Sequence, residues 1–193
     1  MAAAGAERLA PAAREPFAAA APLSNVPELP DAQRVRAAQA GDAVAMSEVL
    51  DALLPTVGRV CGSIALESGP DAAQEALIQV MRDLRRLRDP GRILAWARRI
   101  ATREAVRHAR RARAAPRGAA DPAQLPAAGD PSLARDVRRV LAGLAPEQRA
   151  ILVLRDLEGL GEAEAARELG VALGTAKSRL HRARQAFRER WSS

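Results

Sequence analysis

An all-α protein is expected from three properties of the sequence. Ala, Leu, Arg and Glu dominate it, and all four favour helix. The β-branched residues come singly, and no run alternates apolar and polar positions as a half-buried strand would. Apolar residues instead recur at three- and four-residue spacing along most of the chain. Of the 193 residues 48% are hydrophobic but only 2% aromatic, with no Tyr, so a core must be built from Ala, Leu, Val and Ile.

The elements follow in order. Residues 1–30 are Ala/Pro-rich without a sustained period and are expected to be a disordered tail. A short helix is expected from about Ala32 to Ala40, stopping at Gly41-Asp42. A longer one follows, striped by Met46, Val49, Leu50, Leu53, Val57, Val60, Cys61 and Ile64, with Pro55 expected to kink or divide it. A third begins near Asp71 and carries the stripe Leu77, Ile78, Met81, Leu84 and Leu87. Asp89-Pro90-Gly91 breaks the chain. A fourth helix carries Ile93, Trp96, Ala97, Ile100, Ala101 and Val106 into the arginines that end at Arg113. Residues 114–131 hold four prolines and two glycines and read as a flexible linker. Beyond it, over 132–191, four helical segments are expected. Leu133, Val137, Val140 and Leu141 stripe the first. Pro146 suits the first turn of the second, which carries Ile151, Leu152, Leu154 and Leu157. The third runs from Glu162 to Leu169 with Gly170 closing it, and the last starts near Ala172 to Thr175. Two small helical domains, 31–113 and 132–191, are thus expected.

The net charge is +7 and the pI about 11.2; Lys177 is the only lysine, so the positive charge is almost all arginine. Arginine's rigid fork of donors suits phosphates and guanine edges. GC-rich coding DNA would give the same composition, so the placement of the charge decides. Cys61 is alone, which excludes an internal disulfide, and it reads as a small core residue. With His108 and His181 it makes too few ligands for a zinc site of the usual kind, and no cofactor is expected. No apolar run is read as approaching the ~20 residues of a membrane span, and the Ala-rich start has neither a basic n-region nor a clean h-region. Cytoplasmic residence without membrane insertion is expected.

The segment GEAEAARELGVALGTAKSRLHRAR, from Gly161 to Arg184, has the form of a helix-turn-helix. In its second helix Ala176, Leu180, Ala183 and Phe187 share one face. The remaining positions, Thr175, Lys177, Ser178, Arg179, His181, Arg182 and Arg184, make the other face cationic and rich in donors. In a major groove such a helix brings Lys177, Ser178 and Arg179 to base edges or phosphates, while Thr175 and the free amides of the first turn meet a phosphate.

The longer stretch PEQRAILVLRDLEGLGEAEAARELGVALGTAKSRLHRAR, from Pro146 to Arg184, resembles region four of the extracytoplasmic-function sigma factors. The resemblance implies that Lys177, Ser178, Arg179, Arg182 and Arg184 contact the minus-thirty-five promoter element. Gly161 stands where Ser or Thr often caps the helix, and Ala172 where Pro is common. DAAQEALIQVM, from Asp71 to Met81, resembles the family's region-two helix. It implies contacts to core RNA polymerase by Asp71, Gln74, Glu75 and Arg82. LRDPGRILAWARRIATREAVRHARR is similar to the promoter-melting part. Residues 98–113 hold seven arginines against Glu104, a net of +6 that suits the phosphates of a separated strand. Arg98, Arg99, Arg103, Arg107, Arg110 and Arg111 are the implied minus-ten contacts, with a base-capturing loop near Leu87 to Arg92. Here Ile93 replaces a frequent aromatic, Arg103 a frequent Asn and Arg107 a frequent Asp. Trp96 reads either as a stacking platform or, from its spacing with Ile100, as a core residue. The implied partners are RNA polymerase core, promoter DNA and an anti-sigma factor. With so few aromatics to stack on bases, limited melting power and strong promoter selectivity are expected.

Two other classes fit parts of the sequence. A stand-alone helix-turn-helix regulator accounts for the second block but not the first. An enzyme such as a nuclease lacks support, because the sequence has no nucleophile elbow, phosphate loop or metal-ligand cluster.

Overall fold

The computed structural model describes residues 30–114 and 131–192, and every described element is helical. The expected tail and linker therefore lie outside the described residues, apart from their end positions. The helices are α1 (Ala32–Ala40), α2 (Ala43–Ala65), α3 (Gly69–Asp83), α4 (Ile93–Ala114), α5 (Pro131–Ala142), α6 (Pro146–Leu152), α7 (Glu162–Leu169) and α8 (Leu173–Trp191). Short 3-10 turns join α2 to α3 and α3 to α4, and a π-helical turn extends α6 over Val153–Leu157.

The ends of these helices follow from local chemistry. The Asp31 carboxylate accepts from the Arg34 amide at 2.7 Å and starts α1. Gly41, at φ 105°, ends α1 in the left-handed region that a Cβ disfavours, and its amide donates to the Ala37 and Ala38 carbonyls. Asp42 then caps α2 by accepting from the Val44 and Ala45 amides. Pro55 does not divide α2. It sits on the exposed side, and the helix runs unbroken past it.

α2 is the centre of the first group, packed against α1, α3 and α4. Its Val49, Leu53, Val57, Val60, Cys61 and Ile64 have no exposed surface. Truncating a side chain such as Leu53 to Ala would cost about 2–5 kcal/mol. The face that α3 turns inward differs from the expected stripe. Ala72, Ala73, Ala76 and Val80 are buried, Leu77 and Ile78 are half-buried, and Met81 is 46% exposed. The reason is steric. Where α3 begins, a Cβ on Gly69 would lie 2.7 Å from the Cα of Gly62, so the two backbones meet where only glycine fits. Alanines carry that close approach along the helix. Trp96 packs half-buried against the same core, as its spacing with Ile100 implied.

The second group encloses Leu144, Ile151, Leu154, Leu160, Ala165 and the inner face of α8. That face is Ala176, Leu180, Ala183 and Phe187, in the phase expected from the sequence, and Phe187 stacks on Trp191 at 5.8 Å. Leu133 and Leu157, expected in stripes, are instead 50% and 45% exposed. The π-helical turn inserts an extra residue before Leu157 and rotates it off the α6 stripe. The two groups touch: Ala150 and Val153 join the first core, and Leu66 joins the second.

The stretch Ala43–Arg86 does contain a window apolar and long enough to cross a membrane, with mean hydropathy 1.5. More than half of that window is buried inside the fold, where it forms the first core.

Cys61 has no exposed surface, and its Sγ lies 3.5 Å from the Ala101 carbonyl oxygen. Burial, with Glu104 nearby, pushes its thiol up to about 12. The folded protein is therefore expected to resist thiol reagents at pH 8, with labelling that follows unfolding as urea is raised. Rapid stoichiometric labelling without denaturant would show that the core around α2 is open.

Candidate nucleic-acid interface

Two cationic helices, α4 and α8, carry most of the expected contacts. α7 ends at Gly170, whose φ of 66° makes the sharp turn, and α8 begins three residues later at Leu173, behind Ala172. Ala172 has no side chain to cap the helix, so the first-turn amides of α8 are not satisfied by a side chain there. Thr175, Lys177, Ser178 and Arg182 are exposed, and Arg179 is half-buried. Lys177 lies 3.6 Å from Glu162 in the preceding helix. The Ser178 hydroxyl donates to the Thr175 carbonyl, and Arg182 donates to the carbonyl of Ser178 at 3.3 Å. Arg184 behaves differently. It pairs with Asp156, which is 11% exposed, and this pairing holds its charge more firmly than usual. In this conformation Arg184 ties α8 to the turn after α6 rather than standing free toward a ligand.

On α4, Arg99, Arg103, Arg110 and Arg111 are exposed. Arg110 is paired with Glu147 of α6, and Arg103 lies 3.4 Å from Glu104. Arg107 is half-buried and paired with both Glu75 and Glu104. Arg98 departs furthest from its expected place on a phosphate-tracking face. Its side chain is 10% exposed, and it donates from Nε at 2.9 Å and from Nη2 at 2.7 Å to Oε1 of Glu168, itself 6% exposed, with Glu164 at 3.7 Å. The cause is the packing of α7 on α4, which brings an acid of the second group over this arginine. Burial would lower the charge-holding of Arg98, but the Glu168 carboxylate outweighs it and raises it. For Glu168 the balance tips the other way, and burial lifts the carboxyl above its ordinary range despite Arg98. Leaving either charge buried without the other costs about 3–5 kcal/mol.

The segment between α3 and α4 is held by residues that sequence patterns do not single out. Gln39 of α1 donates to the carbonyls of Leu84 and Leu87 at 2.9 and 2.7 Å. Asp89 accepts from the Gly91 amide at 3.0 Å, and Pro90 is buried. On α3, Asp71, Gln74 and Arg82 are exposed and lie on one side of the helix with Glu75. Glu75 is not free: Arg107 pairs with it and His108 stands 3.3 Å away. Glu158, Glu164 and Glu168 were also missed. Their signal was present as the acid-rich stretch 156–168, where five acids stand against Arg167 alone, following a strongly basic helix, but only the fold shows which acid meets which arginine. Among the described residues no group of three or more His, Cys, Asp or Glu is placed to hold a metal.

Known proteins resemble both halves. Residues 49–115 match the family described as sigma-70 region 2, and residues 134–187 match sigma-70, region 4. Among curated relatives, ECF RNA polymerase sigma factor SigM of Mycobacterium tuberculosis is 33% identical over 163 residues, 81% of this chain and 82% of that protein. ECF RNA polymerase sigma factor SigE of Mycolicibacterium smegmatis is 39% identical over 129 residues, 62% of this chain and half of that longer protein. Among solved structures, the sigma factor RpoE of Bartonella quintana, determined with the anti-sigma factor NepR, is similar in fold. Its TM-score is 0.59 at 24% identity, over 76% of this chain and 96% of that one.

The contact between α3 and α4 carries a pH signature. His108 and, behind it, Arg107 hold the Glu75 carboxyl below its usual range near 4.5, against a smaller desolvation that raises it. A carboxyl lowered in the folded state stabilises the fold above its unfolded value and loses that contribution as pH falls through the lowered one. The stability advantage of the natural protein over Glu75→Gln, read from urea midpoints, is therefore expected at pH 7 and should shrink below about pH 4.5. A gap that stays constant down to pH 3 would show that the pairing does not act on stability.

Proposed function

The chain belongs to the extracytoplasmic-function RNA polymerase sigma factors, and from that premise we propose that it directs promoter-specific initiation by holding two DNA elements at once. In this reading α8 enters the major groove of the minus-thirty-five element. Lys177, Ser178 and Arg179 face base edges and phosphates, Thr175 and the uncapped amides of α8 meet the backbone, and Arg182 adds a further phosphate contact. Arg184 would join them on leaving Asp156. The exposed arginines of α4, Arg99, Arg103, Arg110 and Arg111, with Arg98 and Arg107 when released, would track the phosphates of the displaced strand at the minus-ten element. The loop braced by Gln39 would receive an extruded base. Asp71, Gln74 and Arg82, with Glu75 beside them, would form the polymerase-facing side of α3.

The observation that carries this reading is the coexistence of two elements in one chain. One is a helix-turn-helix whose exposed face is cationic; the other is a separate helical group with an arginine-lined helix and an open polar face on α3. A stand-alone regulator needs only the first, and the region-two match over 49–115 favours the fuller reading. The domain division at 31–113 and 132–191 belongs to the same proposal, as does residence in the cytoplasm, where the polymerase works. We assign the chain a binding role rather than a catalytic one. A partner of the anti-sigma class, such as the one solved with the Bartonella neighbour, would regulate it by covering these faces.

In vitro transcription with core polymerase on a pool of genomic promoters tests the proposal. Addition of the protein should produce new transcripts whose upstream regions share two spaced motifs. Arg179→Ala should reduce them about tenfold or more, in line with the 1–3 kcal/mol of a base-reading contact. No new start sites, despite tight promoter binding by the protein alone, would support the stand-alone regulator instead.

A further inference from the structure

We infer that Gln39 is a positioning residue for base selection: its side-chain amide fixes the shape of the loop between α3 and α4, and with it the base that this loop accepts. The inference rests on the proposed function in taking the loop as the receiver of an extruded base. The clamp itself rests on geometry alone.

The loop needs support from outside. α3 ends at Asp83, a 3-10 turn covers Leu84–Arg86, and the chain is extended at Leu87 before a second 3-10 turn, Pro90–Arg92, leads into α4. Helical turns leave their last carbonyls without partners inside the turn. Here the Leu84 carbonyl accepts from the Leu87 amide at 3.0 Å. Gln39 Nε2 donates to that same carbonyl at 2.9 Å and to the carbonyl of Leu87 at 2.7 Å. One NH2 group thus holds the carbonyls on both sides of the bend. Both partners are acceptors, so only the nitrogen end of the amide can face them.

The base on which Gln39 stands is fixed as well. Val35 and Ala38, beside it on α1, are buried in the first core. Asp31 and Gly41 hold the two ends of α1, and Arg34 pairs with Glu48 of α2. α1 packs against both 3-10 turns. On the loop, Leu87 packs on the first core and Pro90 is buried. Asp89 is occupied by the Gly91 amide and by Arg92, 3.4 Å away, while Arg88 is exposed and makes no ion pair among the described residues. Arg88 and the edge of Asp89 are therefore presented from a backbone that α1 holds in place. Groups that read a base by hydrogen bonds must be kept within about 0.5 Å of their working positions. A loop released from Gln39 keeps its charge for phosphate but loses that spacing, so it holds DNA while distinguishing bases poorly.

The test uses the full chain with core polymerase on a responsive promoter, in one library randomised at the minus-ten element and in another at the minus-thirty-five element. The bases present in the transcribed templates are counted. The natural protein should select one base strongly at the extruded position. Gln39→Glu sets an acceptor against both carbonyls, and Gln39→Met removes the donor without adding charge. Both should flatten that preference about tenfold, the size of one base pair's contribution, and leave the minus-thirty-five preference unchanged. Gln39→Lys, whose ammonium has donors for both carbonyls, should restore it. Hydrogen exchange on the free proteins follows the clamp: the Leu87 and Arg92 amides should be protected in the natural protein and in Gln39→Lys, and exchange faster in the other two. Preference retained in both Glu and Met variants, preference lost equally at the two elements, or protection lost throughout α1–α4 in both would overturn the inference. If the natural protein shows no base preference at the minus-ten element while exchange changes as described, the reading of the loop as a base receiver falls and the clamp stands.

Discussion

Everything in the first group depends on how closely α3 and α4 approach α2. With two Phe and two Trp in the whole chain, the core cannot be filled by large rings, so it is filled by bringing backbones together. Gly62 and Gly69 set that distance at one end, and Ala72, Ala73, Ala76, Ala97, Ala101 and Ala105 continue it. This packing leaves the polar side of α3 and Arg99, Arg103, Arg110 and Arg111 of α4 on the outside, at fixed phase. It also places Cys61 where its thiol has no access to water.

Electrostatics then sorts the arginines into two kinds. Those at Arg98, Arg107 and Arg184 face carboxylates at Glu168, Glu75 and Asp156 and hold elements together. Those at Arg99, Arg111 and Arg182 are exposed to solvent. The first kind fixes the geometry that presents the second. Net charge alone cannot draw this line, since all of them contribute equally to the +7 of the chain.

The phase of α8 could be read from the sequence because Ala176, Leu180, Ala183 and Phe187 are the only apolar set that repeats at helical spacing there. The ends of α1 and α7 were equally readable, since Gly41 and Gly170 act through their own backbone. The inward face of α3 was not. Hydrophobic periodicity favours large side chains and pointed to Leu77, Ile78 and Met81, whereas close packing selected the alanines beside them. Pro55 was overread, because a proline on the solvent side of a helix held by three neighbours need not break it. The partners of Arg98 and Arg59 lie 70 and 99 residues away, beyond any local pattern. Gln39, which braces the loop before α4, has no sequence signal at all, since a glutamine at a helix end is ordinary until its neighbours are known.

The central claim is that α8 and α4 sit on two separate promoter elements in one complex. Tethered cleavage measures this directly. An iron chelate is attached in turn to Lys177→Cys and Arg103→Cys, a labelling made selective by the burial of Cys61, and each protein is assembled with core polymerase on a responsive promoter. The account predicts cuts at two sites about 25 base pairs apart, the upstream one from position 177 in duplex DNA and the downstream one from position 103 on the displaced strand. Cuts from both positions at one site, or none from position 103, would contradict it.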